Sequence, residues 1–217
     1  MSVVTSALPR LLPIVLNGRH VRLEPLTRGH ARALAAAASG SRETYGLTTV
    51  PEGEPSAHSY IETALGDQAA GRSLSFATVA TATGRVVGST RFLNIEFWAW
   101  PIGHPLQRGE DVPDVVEIGA TWLAAEAQRT AINTEAKLLM LTHAFETWRV
   151  HRVSLMTDAR NERSRRAILR LGARFDGVIR AQRTAVDGTI RDTAAFSILE
   201  EEWPMVKQQL QSRLDPL

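Results

Sequence analysis

Residues 115–198 alternate between strand-like and helix-like segments, and this alternation limits the folds that the chain can adopt. The order is strand, helix, strand, helix and then two paired strands, which is typical of a sheet whose helices pack on its faces. We therefore predict an α/β fold with a mixed sheet and helices on both of its faces. The segments are strands at Val115–Leu123 and Arg152–Thr157, helices at Thr134–Trp148 and Glu162–Leu171, and a hairpin of Val178–Arg183 with Arg191–Ile198 that turns at Asp187-Gly188.

The rest of the chain supplies further strands and helices for the same sheet. Between two of its strands, Thr83-Gly84 predicts a hairpin turn. Glu96–Asp114 is rich in Trp, Pro and Gly and predicts a long loop, and loops of this length in small domains are usually functional or mobile. The remaining predictions are a short strand at Val21–Leu23, followed by Pro25, strands at Phe76–Ala80 and Val86–Ile95, and helices at Gly29–Ala38, His58–Ala70 and Glu200–Leu214.

Length and composition indicate one water-soluble domain. A chain of 217 residues with 44% hydrophobic and 22% charged residues is long enough for one buried core and short for two. We expect residues 1–16 to be a lead-in and residues 17–217 to be a single domain. No apolar run approaches the length of a membrane-spanning helix. Because the chain has no cysteine, disulfides and thiolate ligands are excluded, and we expect a cytoplasmic protein.

Several common functional classes lack their sequence signatures. There is no phosphate loop of the Walker type, no G-x-G-x-x-G before a helix and no G-x-S-x-G. The six histidines are scattered and form no i, i+4 pair, so we expect no metal. A net charge of +2 argues against a strongly basic nucleic-acid binder, and we expect neither a nucleic acid nor a membrane as partner.

The segment Gln128–Thr134 connects the predicted strand Val115–Leu123 to a helix. It presents successive backbone N–H groups near a helix N-terminus, where unsatisfied donors and the helix dipole favour an anion such as pyrophosphate. The alternative is that Asn133 or Thr134 only caps the helix.

A second turn, Thr157–Ser164, leads from a strand into an arginine-rich helix. Five arginines fall within eleven residues from Arg160 to Arg170, which is typical of a solvated helix face or of a site for a polyanion. Nucleic-acid binding through this helix is a further hypothesis, and such binding would fall steeply with salt.

The second turn resembles the cofactor-binding half of the GNAT acetyltransferase superfamily. There, a strand ends in Asn, a small residue follows three positions later, and the helix closes on Leu-Gly; Asn161, Ser164 and Leu171-Gly172 match. The resemblance covers residues 17 to 203 and is closest to the ribosomal-protein-type N-terminal acetyltransferase branch. That branch has a G-x-x-v-x-L-x-P-L segment, here Gly18–Leu26, an E-I-G strand, here Glu117-Ile118-Gly119, and a late Asp-Gly hairpin.

This resemblance implies a GNAT fold, with a twisted, mostly antiparallel mixed sheet, and an enzyme that uses acetyl-CoA. The implied reaction moves the acetyl group to a primary amine, either a protein N-terminus or a small-molecule amine, directly within a ternary complex. The residues implied to bind the cofactor are Trp122, Leu123, Gln128, Arg129, Thr130, Ala131, Ile132, Asn133, Thr134, Asn161, Ser164 and Arg165.

The chain departs from the superfamily pattern at two places. Ala131 and Asn133 stand where glycines normally let the backbone approach the pyrophosphate, and Ile168 stands where many members have a Tyr that acts as an acid. The alternative to an enzyme is therefore a CoA-binding regulatory module without catalysis.

Two residues are candidates for catalysis. Glu117 shares a strand face with Gly119, and a part-buried carboxylate there could accept the proton of the amine; its alternative role is a salt bridge. Ser164 is the remaining hydroxyl that could donate to the departing sulfur, or it could only pack against the pantetheine arm. A backbone N–H near Trp122 or Leu123 is expected to polarise the thioester carbonyl.

The predicted loop carries two tryptophans and a histidine that we place on the acceptor side of the cleft. Trp98 and Trp100 could stack on the acceptor or form a homodimer contact, because aromatic residues are enriched in interface cores. His104 could help to deprotonate the amine, although a lone loop histidine is more often solvated.

Overall fold

The computed structural model describes residues 11–215. Its strands are β1 (Leu16–Asn17), β2 (Val21–Pro25), β3 (Ser73–Ala80), β4 (Arg85–Glu96), β5 (Val115–Leu123), β6 (Arg152–Asp158), β7 (Arg174–Thr184) and β8 (Ile190–Leu199). Its helices are α1 (Ala31–Ala38), α2 (Gly53–Ala69), α3 (Ala131–Thr142), α4 (Glu162–Arg170) and α5 (Trp203–Leu214), and α3 continues as a π-helical segment, His143–Trp148.

The eight strands form one mixed sheet in the order β1-β2-β3-β4-β5-β6-β8-β7. Every neighbouring pair is antiparallel except β5 and β6, which are parallel. The predicted mixed, mostly antiparallel sheet is therefore confirmed.

The single parallel pair comes apart partway along its length. β5 and β6 pair over three positions only, from Val115↔Arg152 to Glu117↔Ser154. Beyond Glu117, β5 runs on to Leu123 without β6 as a neighbour, while β6 runs on to Asp158 paired with β8. A gap therefore opens in the middle of the sheet, between the carboxyl ends of these two strands.

Two apolar clusters hold the helices against the sheet. The larger one packs α3, α4 and α5 against residues such as Val116, Ile118 and Leu155. The smaller one packs α1 and α2 on the other face and contains Ala77 and Trp122 but no residue of β6, β7 or β8. The helices on both faces agree with the prediction, and one face of β6 and β8 lacks this second apolar layer.

Glu135 of α3 joins the start of the sheet to the helix layer. Its carboxylate accepts hydrogen bonds from the backbone N–H groups of Arg19 (2.9 Å), His20 (2.6 Å) and Val21 (2.8 Å). A Cβ at Gly18 would lie 2.5 Å from this carboxylate, so the first glycine of the Gly18–Leu26 segment leaves room for it.

Some element boundaries differ from those predicted. α2 begins at Gly53, five residues before His58, because Pro55 falls in the first turn, where a missing N–H costs no hydrogen bond. α3 begins at Ala131 rather than Thr134. β7 begins at Arg174 rather than Val178 because it is an exposed edge strand without the alternating apolar pattern.

Candidate active site

Glu117 lies between two irregularities of the sheet. The β4–β5 register shifts near Asn94 on β4 and near Ala120 on β5, and both residues have φ of 44°. Positive φ is uncommon for residues other than glycine and often marks functional sites. The shift at Asn94 brings its side chain onto Glu117, and Asn94 Nδ2 donates a hydrogen bond of 2.6 Å to Glu117 Oε2.

Burial raises the pKa of Glu117 above its ordinary value. The side chain is nearly inaccessible, and removal from water disfavours the charged carboxylate. The hydrogen bond from Asn94 and the charges of Arg183 and Arg191 act in the opposite direction, but burial outweighs them. A carboxylate of this kind can take up a proton at a pH where an exposed one stays ionised.

A cleft of about 260 Å³ opens at the Glu117 carboxylate. Gly119 makes room for the Glu117 carboxylate, because a Cβ at position 119 would lie 2.9 Å from Glu117 Oε1. The cleft therefore lies where β4, β5 and β6 meet, beside the start of the gap. Its lining residues are Asn94, Ile95, Glu96, Val115, Glu117, Arg152, Ser154 and Met156.

The far end of β5 points one backbone donor into the gap. Ala124 N–H donates to Val87 O of β4 (2.7 Å). Because N–H groups point to alternate sides along a strand, the N–H of Leu123 points away from β4, toward the side that β6 has left. The carbonyl of Leu123 already accepts from Tyr45 Oη and Gln128 Nε2, both at 2.9 Å. Trp122 contributes only backbone here, since its side chain is buried in the smaller apolar cluster.

Helix α3 begins at Ala131, after a connection that contains a 3-10 turn at Ala125–Ala127, and Thr130 is its N-cap. Thr130 Oγ1 accepts the N–H of Ile132 at 3.3 Å, so neither Asn133 nor Thr134 caps the helix. Ala131, Ile132 and Asn133 form its first turn, whose N–H groups have no acceptor within the helix. The left-handed residue is Arg129, with φ of 60°, and not Asn133.

Gln128 and Arg163 connect the two predicted cofactor segments. Gln128 Nε2 is held by Leu123 O and by Thr44 Oγ1 (3.0 Å), while its Oε1 accepts from Arg163 Nη2 of α4 at 2.9 Å. The starts of α3 and α4 therefore lie together at the open end of the gap.

The matched motif of α4 has a clear local role. Asn161 is the N-cap, and its Oδ1 accepts the backbone N–H of Ser164 at 3.0 Å. Gly172 follows the helix with φ of 99°, where a Cβ would lie 2.9 Å from Val206 of α5. The spacing N-x-x-S and the closing Leu-Gly thus start and stop this helix.

Part of the arginine cluster is engaged within the protein. Arg160 forms ion pairs with Asp158 and Asp187, both at 2.8 Å. Arg165 pairs with Glu162 at 2.6 Å, and its guanidinium lies 5.8 Å from the ring centre of Phe175. Arg165 therefore has less freedom to bind a phosphate than its sequence position indicates.

The aromatic residues of the loop form one cluster at the closed end of the gap. Trp98 stacks on His151 with ring centres 5.6 Å apart, and Trp100 stacks on His104 at 4.7 Å. The Asp114 carboxylate fixes both tryptophans, accepting from Trp98 N–H (2.6 Å) and Trp100 Nε1 (2.7 Å). The cluster reaches the Glu117 cleft through Glu96, which accepts from Trp98 Nε1 at 3.2 Å.

Comparison with known proteins identifies the family. The sequence model described as "Acetyltransferase (GNAT) domain" matches residues 20–174, more than half of the chain. The chain belongs to the GNAT acetyltransferase family. It is therefore an N-acetyltransferase, and the predicted resemblance to this family is confirmed.

Individual relatives extend the comparison. The acetyltransferase is 34% identical over 87 residues to "Putative ribosomal N-acetyltransferase YdaF" of Bacillus subtilis, a match covering 40% of this chain and 46%, about half, of that relative. A GCN5-related N-acetyltransferase from Brucella melitensis has a TM-score of 0.80 at 30% identity, covering 96% of this chain and 88% of that one. RimJ of Mycobacterium smegmatis, solved with CoA-disulfide, shares the fold with a TM-score of 0.73 at 21% identity, covering 93% and 95%.

Two features of the acetyltransferase site were missed by the sequence reasoning. Asn94 was placed in a strand, and nothing in its neighbourhood signals the register shift that brings it to Glu117. Lys137 of α3 is buried and has no acidic partner among the residues that the structure describes; its Nζ donates to Thr121 Oγ1 (2.6 Å) and Thr90 Oγ1 (3.3 Å). Burial lowers the pKa of Lys137 to about 7. The only signal in the sequence for this buried lysine was its position among the apolar residues of a predicted helix.

Within residues 11–215, no group of three or more His, Asp or Glu side chains is arranged to hold a metal ion. Over the same described range, no helix combines the length and the apolar character needed to cross a bilayer.

Proposed function

We propose that this acetyltransferase transfers the acetyl group of acetyl-CoA directly to a primary amine, with Glu117 as the general base. The observation that carries the proposal is the buried Glu117 carboxylate, with its raised pKa, in a cleft beside the gap between β5 and β6. A base is most effective when its pKa lies near the working pH, and burial moves Glu117 in that direction.

The cofactor occupies the open end of the gap in this proposal. The N–H groups of Ala131 and Asn133 bind the pyrophosphate, with Gln128, Arg129, Thr130, Ile132 and Thr134 around them; the N–H of Ile132 is taken by Thr130 Oγ1. Asn161 uses its Oδ1 for capping, so its amide nitrogen is the part that contacts pantetheine. Trp122, Ser164 and Arg165 complete the proposed site. The gap suits pantetheine because its amides can take the place of a missing strand.

The reaction then follows from the positions of three groups. Glu117 takes a proton from the ammonium form of the acceptor, and the free amine attacks the thioester carbon. The N–H of Leu123 donates to the oxyanion of the tetrahedral intermediate. The C–S bond breaks, and the Ser164 hydroxyl donates a hydrogen bond to the departing thiolate, which takes up the proton released by the amine.

The acceptor is a protein N-terminus or a small amine, and the name of the Bacillus subtilis relative favours a protein substrate. In this proposal Trp98, Trp100 and His104 contact the bound acceptor, which is supported by the hydrogen bond from Trp98 Nε1 to Glu96 at the cleft. Residues 17–217 act as a single domain in this proposal, and a homodimer through the exposed loop is the alternative role of the tryptophans.

Thiol release from acetyl-CoA in the presence of a panel of amines and peptides tests this function. General-base catalysis contributes about 10²–10⁴-fold, so Glu117→Gln should lower kcat by at least about 100-fold. It should leave the stabilisation of the protein by acetyl-CoA unchanged.

The matched control is Glu110→Gln, at an exposed loop position. Stabilisation by acetyl-CoA without thiol release from any acceptor would support the CoA-binding regulatory module instead, which the buried Ile168 in place of Tyr also favours. No stabilisation by acetyl-CoA would contradict both functions.

A further inference from the structure

Two arginines face each other on the uncovered side of the sheet. Arg183 of β7 and Arg191 of β8 are direct cross-strand partners, a position where like charges are destabilising. Burial and the neighbouring Arg183 both lower the pKa of Arg191. Within residues 11–215, neither guanidinium has a carboxylate within the 4.0 Å of a salt bridge. The carboxylates of Asp158 and Glu117 act on Arg191 from a longer distance and raise its pKa, but neither forms a salt bridge with it.

Arg191 is fixed in place by buried polar groups. Its Nε donates to Thr193 Oγ1 at 2.9 Å, and Thr193 is fully buried. Thr193 in turn donates to Gln182 Oε1 at 2.6 Å, and Gln182 Nε2 lies 3.9 Å from the sulfur of Met156. Met156 lines the Glu117 cleft. A continuous set of contacts therefore runs from the arginine pair to the cleft wall.

The arginine pair belongs electrostatically to the same cleft. Arg183 and Arg191 both lie near enough to lower the pKa of Glu117. A third arginine, Arg152, lines the cleft, and among the described residues its buried Nε has no hydrogen-bond partner. One wall thus offers a carboxylate for a cation, and the adjoining surface offers guanidinium groups for an anion.

We propose that the acceptor is a primary amine that carries a carboxylate close to its amino group. This inference rests on the proposed function. Glu117 accepts the proton of the amine, while Arg183 and Arg191 bind the carboxylate, to which guanidinium groups donate paired hydrogen bonds. The carboxylate of the acceptor then supplies the direct ion pair that the described residues do not give to Arg183 and Arg191.

The cofactor phosphates are a less suitable partner for these arginines. The N–H groups that fit a phosphate belong to α3, which packs on the face of Val116 and Ile118. Arg191 lies on the other face, because Thr193, two residues later, pairs with Asp158, and Asp158 shares a face with Met156 and Ser154.

Matched acceptors test the proposal, with acetylation measured as kcat/KM. One arm compares the peptide Ser-Asp-Ala-Ala with Ser-Asn-Ala-Ala, and the other compares alanine with alaninamide, so that acidic peptides and free amino acids are distinguished. The carboxylate should raise kcat/KM at least ~10-fold in one arm, as expected for hydrogen bonds between charged groups. Arg183→Gln and Arg191→Gln should reduce this ratio toward one, because any change in the pKa of Glu117 affects the acid and the amide acceptor alike.

Arg180→Gln, at an exposed position of the same strand, is the control and should keep the ratio. Equal kcat/KM for acid and amide in both arms would overturn the proposal. The proposal would also be overturned if Arg191→Gln raised KM for acetyl-CoA while the ratio of kcat/KM between acid and amide acceptors stayed the same. If no acceptor releases thiol, the proposed function fails. Calorimetric binding of the same four acceptors to the CoA-loaded protein then decides this inference, which fails if acid and amide bind equally.

Discussion

At the scale of single residues, the site depends on space as much as on charge. Glu117 reaches the cleft because Gly119, on the same strand face, has no side chain. Asn94 meets the carboxylate only because β4 departs from regular pairing at that point. The pattern Glu-Ile-Gly identified Glu117 and Gly119 from the sequence. Asn94 was missed because a register shift is decided by cross-strand packing and not by the local sequence.

Replacing Gly119 with alanine should lower kcat, and its effect on activity can be measured separately from its effect on stability. The new Cβ would lie 2.9 Å from Glu117 Oε1 and 3.0 Å from Leu93 Cδ1, so the carboxylate must move away from the acceptor. We expect kcat to fall at least about 10-fold, since small displacements of catalytic groups are costly. Steady-state kinetics measure the change in kcat, and thermal unfolding measures the change in stability.

The matched control is Gly66→Ala, within helix α2, where an added Cβ meets nothing within 4 Å. It should keep full activity and gain slightly in stability, because alanine is the better helix former. Full activity in Gly119→Ala would show that the position of the Glu117 carboxylate is not critical.

At the scale of elements, the sequence located the helices better than it located their first residues. The strand Val115–Leu123 was predicted with its observed bounds, because a largely apolar run begins directly after the turn residues Pro113-Asp114. The start of α3 was placed three residues late, since Ala131 and Ile132 can belong to a turn or a helix and only the cap at Thr130 decides. The Asn161 motif was recognised by family resemblance, and its capping role was visible only in the structure.

Two substitutions at Asn161 distinguish capping from cofactor binding. Asn161→Ala removes the oxygen that accepts the Ser164 N–H and should cost about 1 kcal/mol of stability. Asn161→Asp keeps an acceptor oxygen at the helix N-terminus, so stability should be retained. If the amide nitrogen binds pantetheine, Asn161→Asp should still raise KM for acetyl-CoA several-fold. Unchanged KM in Asn161→Asp would limit Asn161 to capping.

At the scale of the whole molecule, Lys137 makes stability depend on pH. Burial lowers its pKa in the folded protein from 10.5 to about 7. Between these values the unfolded chain binds a proton that the folded protein does not, so this group makes stability rise with pH. Its contribution is up to about 1.4 kcal/mol per pH unit, and the penalty is complete below pH 7.

Lys137→Met should therefore be more stable than the parent at pH 7, and the difference should shrink as the pH rises to 9. Urea unfolding at pH 7, 8 and 9 measures it. The control Lys207→Met removes a surface lysine that pairs with Glu146. Its free energy of unfolding should change with pH as steeply as that of the parent protein. If the free energy of unfolding changes with pH equally in Lys137→Met and in the parent protein, Lys137 keeps its proton in the folded state.

The gap between β5 and β6 has a consequence for how the sheet is completed. Residues 118–123 of β5 have a strand neighbour on one side only, although they lie in the middle of the sheet. An interior strand normally has its donors and acceptors satisfied by strands on both sides, whereas here the Leu123 carbonyl takes its partners from side chains and its N–H has no strand beside it. In the proposed function, the bound cofactor therefore serves as a temporary ninth strand beside β5.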